Sequence, residues 1–298
     1  MSITASDRRA PAGAGYPALG RLGLALIFLA CGLATFVFGS NYFDLFPTNH
    51  NPLYSGGLAA LFLAAAVGMQ RSERLRPLWP AAYAFFIANM VWLVTTLAGG
   101  FGNWPLRWFG LEAATPFGAA VAKVGEAAGT IALILLLSRP AGFTLNSLWL
   151  RRGDLRWALV AGGLAILNFG TNALMASAGL NQDRRAVGDL LLWGLVFSLA
   201  NGFMEELWFR GLFLGRLAPH LGPAGAVAVT ALVFGLLHAG AAYLDPAALV
   251  VALLNITTHG VILGWLMYKT NSLWGAVLYH AAMDLWLFVG PLGGALRG

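Results

Sequence analysis

"NGFMEELWFRGLFLGRL" runs from Asn201 to Leu217. Most of it suits hydrocarbon, yet Glu205, Glu206 and Arg210 stand in its middle. The rest of the chain decides what that means. Of 298 residues, 59% are hydrophobic and only 10% charged, with a mean hydropathy of +0.73. A soluble domain carries about 25% charged residues. The chain therefore reads as an all-α integral membrane protein, and the quoted stretch as part of a membrane helix. Its 38 glycines and 11 tryptophans agree, because Gly lets helices approach closely and Trp settles at membrane interfaces. Too little polar sequence is left for a soluble domain. The single cysteine, Cys31, excludes an intrachain disulfide.

A helix crosses the hydrocarbon core in roughly 20 residues. Apolar runs of that length predict eight or nine spans: Leu22–Gly39, Leu53–Met69, Leu78–Ala98, Ala119–Leu137, Trp157–Ala178, Leu190–Leu214, Ala224–Ala242, Ala247–Tyr268 and Leu273–Val289. The first run is too long for a signal-peptide core and has no cleavage site after it, so it reads as a retained span. Residues 1–20 read as a disordered tail, 21–187 as about five N-terminal spans, and 188–298 as the helices that carry the chemistry.

The net charge of +6 fits the basic loops that orient membrane proteins. No basic stripe with interleaved aromatics marks a nucleic-acid partner. With the N-terminus inside, thirteen Arg and Lys fall in inner segments and four in outer ones, counting Arg210 and Arg216 among the inner charges. That bias predicts a cytoplasmic N-terminus, in a bacterial or archaeal inner membrane. The inner segment Ser138–Trp157, with Phe143, Leu145, Leu148 and Trp149 ahead of Arg151 and Arg152, is expected to lie flat on the anionic leaflet.

Ionisable groups in membrane helices cost several kcal/mol, face the protein interior and mark function. Before Leu190 only Lys123 and Glu126 intrude, three apart and placed to pair on one helix face. After it the groups crowd: Glu205, Glu206 and Arg210, then His238, His259, and finally His280 with Asp284. Glu206 and Arg210, four apart, can pair along one face, as can His280 and Asp284. Glu205 is turned about 100° from Glu206 and can meet another partner. If its helix runs to Leu217, Glu205 lies roughly 18 Å from the inner end, with His280 roughly 13 Å and His238 roughly 22 Å from theirs. A carboxylate and a histidine can deprotonate a shared water. A second histidine with its partner can donate to an oxyanion. The same donors, Glu205, His238 and His280, also fit a catalytic zinc with an open position, although the usual H-E-x-x-H helix is absent.

At these residues the chain resembles the CPBP intramembrane proteases, the type II CAAX prenyl endopeptidase or abortive-infection family. The pattern E-E-x-x-x-R, F-x-x-x-H and H-x-x-x-[N/D] reads here as Glu205–Arg210, Phe234–His238 and His280–Asp284, within Leu190–Val289. The resemblance implies that Glu205 activates water with His238 as its partner. It implies that Glu206 is supporting and held by Arg210, that His280 and Asp284 stabilise the oxyanion or orient substrate, and that Phe234 packs against the site. Asp284 can donate only if protonated; ionised, it would orient His280 or accept from substrate or metal. His259 falls outside the pattern and reads as a packing histidine. The implied partners are the lipid bilayer and a membrane-associated peptide or protein substrate. Two other classes compete: a proton-coupled transporter, in which Glu and His relay protons, and a non-proteolytic scaffold of the same fold.

Overall fold

The computed structural model describes residues 17–39, 52–179, 184–239 and 246–289, so most of the tail expected over residues 1–20 lies outside it. Among the described residues the regular elements are all helical. In chain order they are α1 (Ala18–Gly32), α2 (Pro52–Gln70), α3 (Trp79–Leu97), α4 (Asn103–Phe109), α5 (Pro116–Ser138), α6 (Leu155–Ala165), α7 (Thr171–Gly179), α8 (Arg184–Glu205), α9 (Leu214–Ala239), α10 (Pro246–Thr270) and α11 (Trp274–Val289). Short π-helical turns continue α1 (Leu33–Val37), α6 (Ile166–Gly170) and α8 (Glu206–Gly211).

Eight described helical runs are long and apolar enough to cross a membrane, the sixth being Val187–Gly211 and the seventh Leu214–His238. α11 is apolar but has 16 residues, roughly 24 Å of helix. The protein is thus all-α and polytopic, as expected.

Three expectations need correction. The glutamate helix does not run to Leu217. It ends at Gly211, and α9 starts at Leu214 after a tight turn. Arg210 and Arg216 are buried side chains rather than loop charges, although the loop bias keeps its sign without them. The Ser138–Trp157 segment does not lie flat as one amphipathic surface: Leu148 and Trp149 are buried while Leu145 is exposed. A 3-10 turn at Asn146–Leu148 and the left-handed Trp149 turn the chain inward there.

The chain divides into two compact units, Met1–Phe86 with Leu212–Val261, and Ile87–Gly211 with Ile262–Gly298. In the first, α1 lies against α9, and a side chain at Gly32 would collide with Val233. The aromatic rings of Phe62 and Phe85 stack at 5.1 Å, Phe85 meets Phe213 at 4.7 Å, and Phe213 meets Phe36 edge-on at 5.8 Å. α9 is two limbs joined at Gly222, with φ 75° and ψ 165°. Only glycine occupies that region readily. Pro223 opens the second limb, where a missing N–H costs nothing.

In the second unit α8 packs on α11 and α5, and α6 packs on α11. Small residues set these approaches. Gly194 admits Phe288 and Gly162 admits Leu278. A Cβ at Gly202 would lie 3.2 Å from both Ala281 N and Val277 O, so α8 and α11 touch backbone to backbone there. That contact sits one turn before the glutamates.

Substituting Gly222→Ala should destabilise the protein by about 1–3 kcal/mol through backbone strain alone. A thermal melt in detergent reads it as a lowered midpoint; an unchanged midpoint would show that the kink does not hold α9.

Candidate active site

The second unit brings five of the sequence-predicted residues together. Glu205 is the last residue of α8, and Glu206 the first of its π-helical turn. π-helical turns widen the helix by one residue and recur at functional sites. The residues after Glu205 therefore leave the 100° rotation assumed for an unbroken helix. Glu205 stands six residues before the end of its span, not deep within a longer helix.

Glu206 and Arg210 form the expected pair. Arg210 Nη1 donates to Glu206 Oε1 at 2.6 Å, and both side chains are fully buried. The same oxygen lies 2.7 Å from His280 Nδ1. A carboxylate paired with arginine only accepts, so Nδ1–H donates and the ring's other nitrogen, Nε2, is turned toward the remaining acids. Nε2 lies 3.8 Å from Glu205 Oε2 and 3.6 Å from Asp284 Oδ1. Asp284 is fixed from its far side, where Asn201 Nδ2 donates to Oδ2 at 2.9 Å.

Sequence reasoning quoted Asn201 but gave it no role. Its signal was available: it stands four residues before Glu205, on the same helix face. The acceptor Oδ1 of Asn201 and the second oxygen of Glu206 are buried and take no hydrogen bond from described residues. Lys123 and Glu126 pair as expected at 2.6 Å, and Lys123 Nζ sits 5.3 Å over the Phe197 ring of α8.

The remaining motif residues stand on α9, in the first unit. His238 Nδ1 donates to the Phe234 carbonyl at 2.9 Å, and the two rings lie 4.2 Å apart. That bond fixes the Nδ1–H tautomer of a neutral His238. Phe234 thus packs on the histidine four residues after it. His259 is half-buried on α10.

Two separations around His280, 3.6 and 3.8 Å, are longer than a direct hydrogen bond, so a water set beside the ring nitrogen can link it to either carboxylate. A carboxylate, an imidazole nitrogen and a second carboxylate around one such position can move a proton to and from that water. Among the described residues no group of three or more His, Cys, Asp or Glu side chains is arranged to hold a metal ion.

Residues 187–286 match the family model described as type II CAAX prenyl endopeptidase Rce1-like. The matched segment runs from α8 into α11 and contains all three motifs. It agrees with the resemblance seen in the motifs over Leu190–Val289 and supports a CAAX-type intramembrane protease in general terms. No curated protein and no solved structure matches the chain.

Glu206→Ala removes the partner of a buried arginine and of His280 together. Breaking a buried pair this way should cost about 3–5 kcal/mol. The variant should melt far below the wild type, whereas Lys123→Ala, at a part-exposed pair, should shift the melt little. Equal shifts would contradict the ranking.

Proposed function

We propose that the chain is an intramembrane endopeptidase that hydrolyses a peptide bond of a membrane-associated protein or peptide. The observation that carries this reading is the setting of His280: Nδ1 held by the buried Glu206–Arg210 pair, and Nε2 3.8 Å from Glu205 and 3.6 Å from Asp284.

In this reading Glu205 is the general base. Its carboxylate takes a proton from a bound water, and the hydroxide attacks the scissile carbonyl carbon. The tetrahedral oxyanion takes a hydrogen bond from a protonated His280 Nε2, in a site where water competes little. The carboxylic acid formed at Glu205 then gives its proton to the amide nitrogen as the C–N bond breaks. The products are a carboxylic acid and an amine, which exchange a proton to leave as carboxylate and ammonium, and Glu205 is restored. Asp284 acts as an acceptor that orients His280, because Asn201 already donates to it. Glu206 and Arg210 support the imidazole. The part given to His238, sharing the water with Glu205, rests on the motif resemblance, as does a prenylated CAAX-type substrate. The loop charges support a cytoplasmic N-terminus.

Glu205→Ala and His280→Ala should each abolish peptide cleavage by the purified protein, with near-native melting for Glu205→Ala. Removing a proton-transfer group costs about 10²–10⁴-fold. Asn201→Ala, which only frees Asp284, should lower kcat by about tenfold and leave KM little changed, in line with the loss of an outer orienting partner. If Glu205→Ala and His280→Ala both still cleave, the protease reading is wrong. Proton or solute flux through liposomes that Glu205→Ala abolishes would instead favour a transporter. Comparing protein termini in cells carrying wild-type and Glu205→Ala protein would reveal the substrate.

A further inference from the structure

A second polar feature lies in the same unit, where the end of α10 meets the start of α6. A recess of about 710 Å³ opens there, lined by residues 152–156 and 269–271. It is tightly built. Asp154 N donates to Thr270 O at 2.7 Å, Leu273 N to Trp149 O at 3.0 Å, and Ser272 Oγ to Arg151 O at 2.5 Å. Gly153, at φ 57°, lets the two segments close, since a side chain there would strike the Thr270 and Asn271 carbonyls.

The cations of this region divide by task. Arg151 holds the loop: its Nε donates to Asn271 O at 2.8 Å, its Nη2 reaches Asn271 Oδ1, and its guanidinium lies 5.0 Å over Trp149. Arg152, Arg156 and Lys269 line the recess. The side chains of Arg152 and Arg156 make no hydrogen bond or ion pair with described residues, and Lys269 Nζ rests 4.8 Å over Trp157. One acid, Asp154, also lines it. Its carboxylate is committed to capping α6, accepting from Arg156 N at 3.1 Å and Trp157 N at 3.3 Å. The recess therefore has a net positive charge and few internal partners for it.

The same face of α6 continues into hydrocarbon. Leu155 lines the recess, and Leu159, Gly162, Gly163 and Ile166 line an apolar groove of about 320 Å³. The positions 155, 159, 162 and 166 fall on one helical stripe. Roughly 16 Å separates its ends. Exposed Trp157 beside the recess is the residue type that settles at headgroup level. A cationic recess leading into an apolar groove is the shape of an amphiphile with a negative head.

We infer that the recess and groove bind one anionic membrane lipid, its phosphate between Arg152, Arg156 and Lys269 and an acyl chain along Leu159, Gly163 and Ile166. The residues that line the recess and groove do not include Glu205, His280 or Asp284, and the inference does not rest on the protease reading.

The test uses the full chain in nanodiscs of phosphatidylcholine alone or mixed with phosphatidylglycerol, extracted gently and measured by native mass spectrometry. Wild type should retain phosphatidylglycerol over phosphatidylcholine by about tenfold or more, as several cations near an anionic headgroup predict. The variant Arg152→Gln/Arg156→Gln/Lys269→Gln should lose the preference, while the charge-matched Arg71→Gln/Arg74→Gln/Arg76→Gln should keep it. Gly163→Leu, whose side chain enters open space, should reduce retention by filling the groove. If the triple recess variant does not fold, Arg152→Gln and Lys269→Gln are measured singly and should each weaken the preference. An unchanged preference in the recess variants, or an equal loss in the control, would overturn the proposal. Displacement of phosphatidylglycerol by inorganic phosphate alone would also overturn it and indicate a small-anion site.

Discussion

One oxygen atom organises the polar interior of the second unit. Glu206 Oε1 takes a hydrogen bond from Arg210 on its own helix and another from His280 on α11. Burying an arginine and a carboxylate from water is costly, and a short ion pair with a further hydrogen bond from His280 offsets part of that cost. Here the pair lies on a helix backed against a neighbour at Gly202, where no side chain holds the backbones apart. The imidazole is thereby drawn to a fixed depth and a fixed ring orientation. Its outer nitrogen is presented to Glu205 and Asp284 without either acid having to support the ring alone.

The two adjacent glutamates differ in exposure, which supports the different tasks proposed for them. Glu206 is wholly enclosed, while the side chain of Glu205 keeps 15% exposure. A fully enclosed carboxylate held by arginine is a poor base for an incoming substrate, and the accessible neighbour is the better one. The Rce1-like match over residues 187–286 is a likeness to CAAX-type proteases in general terms. The proposed division of labour between the glutamates follows the motif resemblance, and the difference in their burial supports it.

Much of this was legible in the sequence because lipid makes polar residues conspicuous. Eight spans, the Glu206–Arg210 and Lys123–Glu126 pairs, and the concentration of chemistry after Leu190 all come from counting charges against apolar runs and helical spacing. The features that escaped were set by tertiary contact. Asn201 is an unremarkable amide until Asp284 lies beside it. Leu148 and Trp149 look like surface anchors until the left-handed turn carries them inward. The helix end at Gly211 had no proline to announce it. Arg216, next to a chain reversal, reads as a loop cation because composition cannot tell a buried arginine from an exposed one.

The π-helical turn at Glu206–Gly211 has a consequence of a different kind. A helix that carries one residue more than its α-helical register stores a rotational offset between its upstream and downstream halves. Losing a single residue from this turn would let the backbone relax into ordinary α-helix while every retained side chain kept its chemical identity. Glu205 and the helix before it would then swing by about 100° relative to everything after the turn. The number of residues here is therefore as much a part of the active-site specification as their types. Insertions and deletions too small to disturb a membrane span would rewrite the site's geometry.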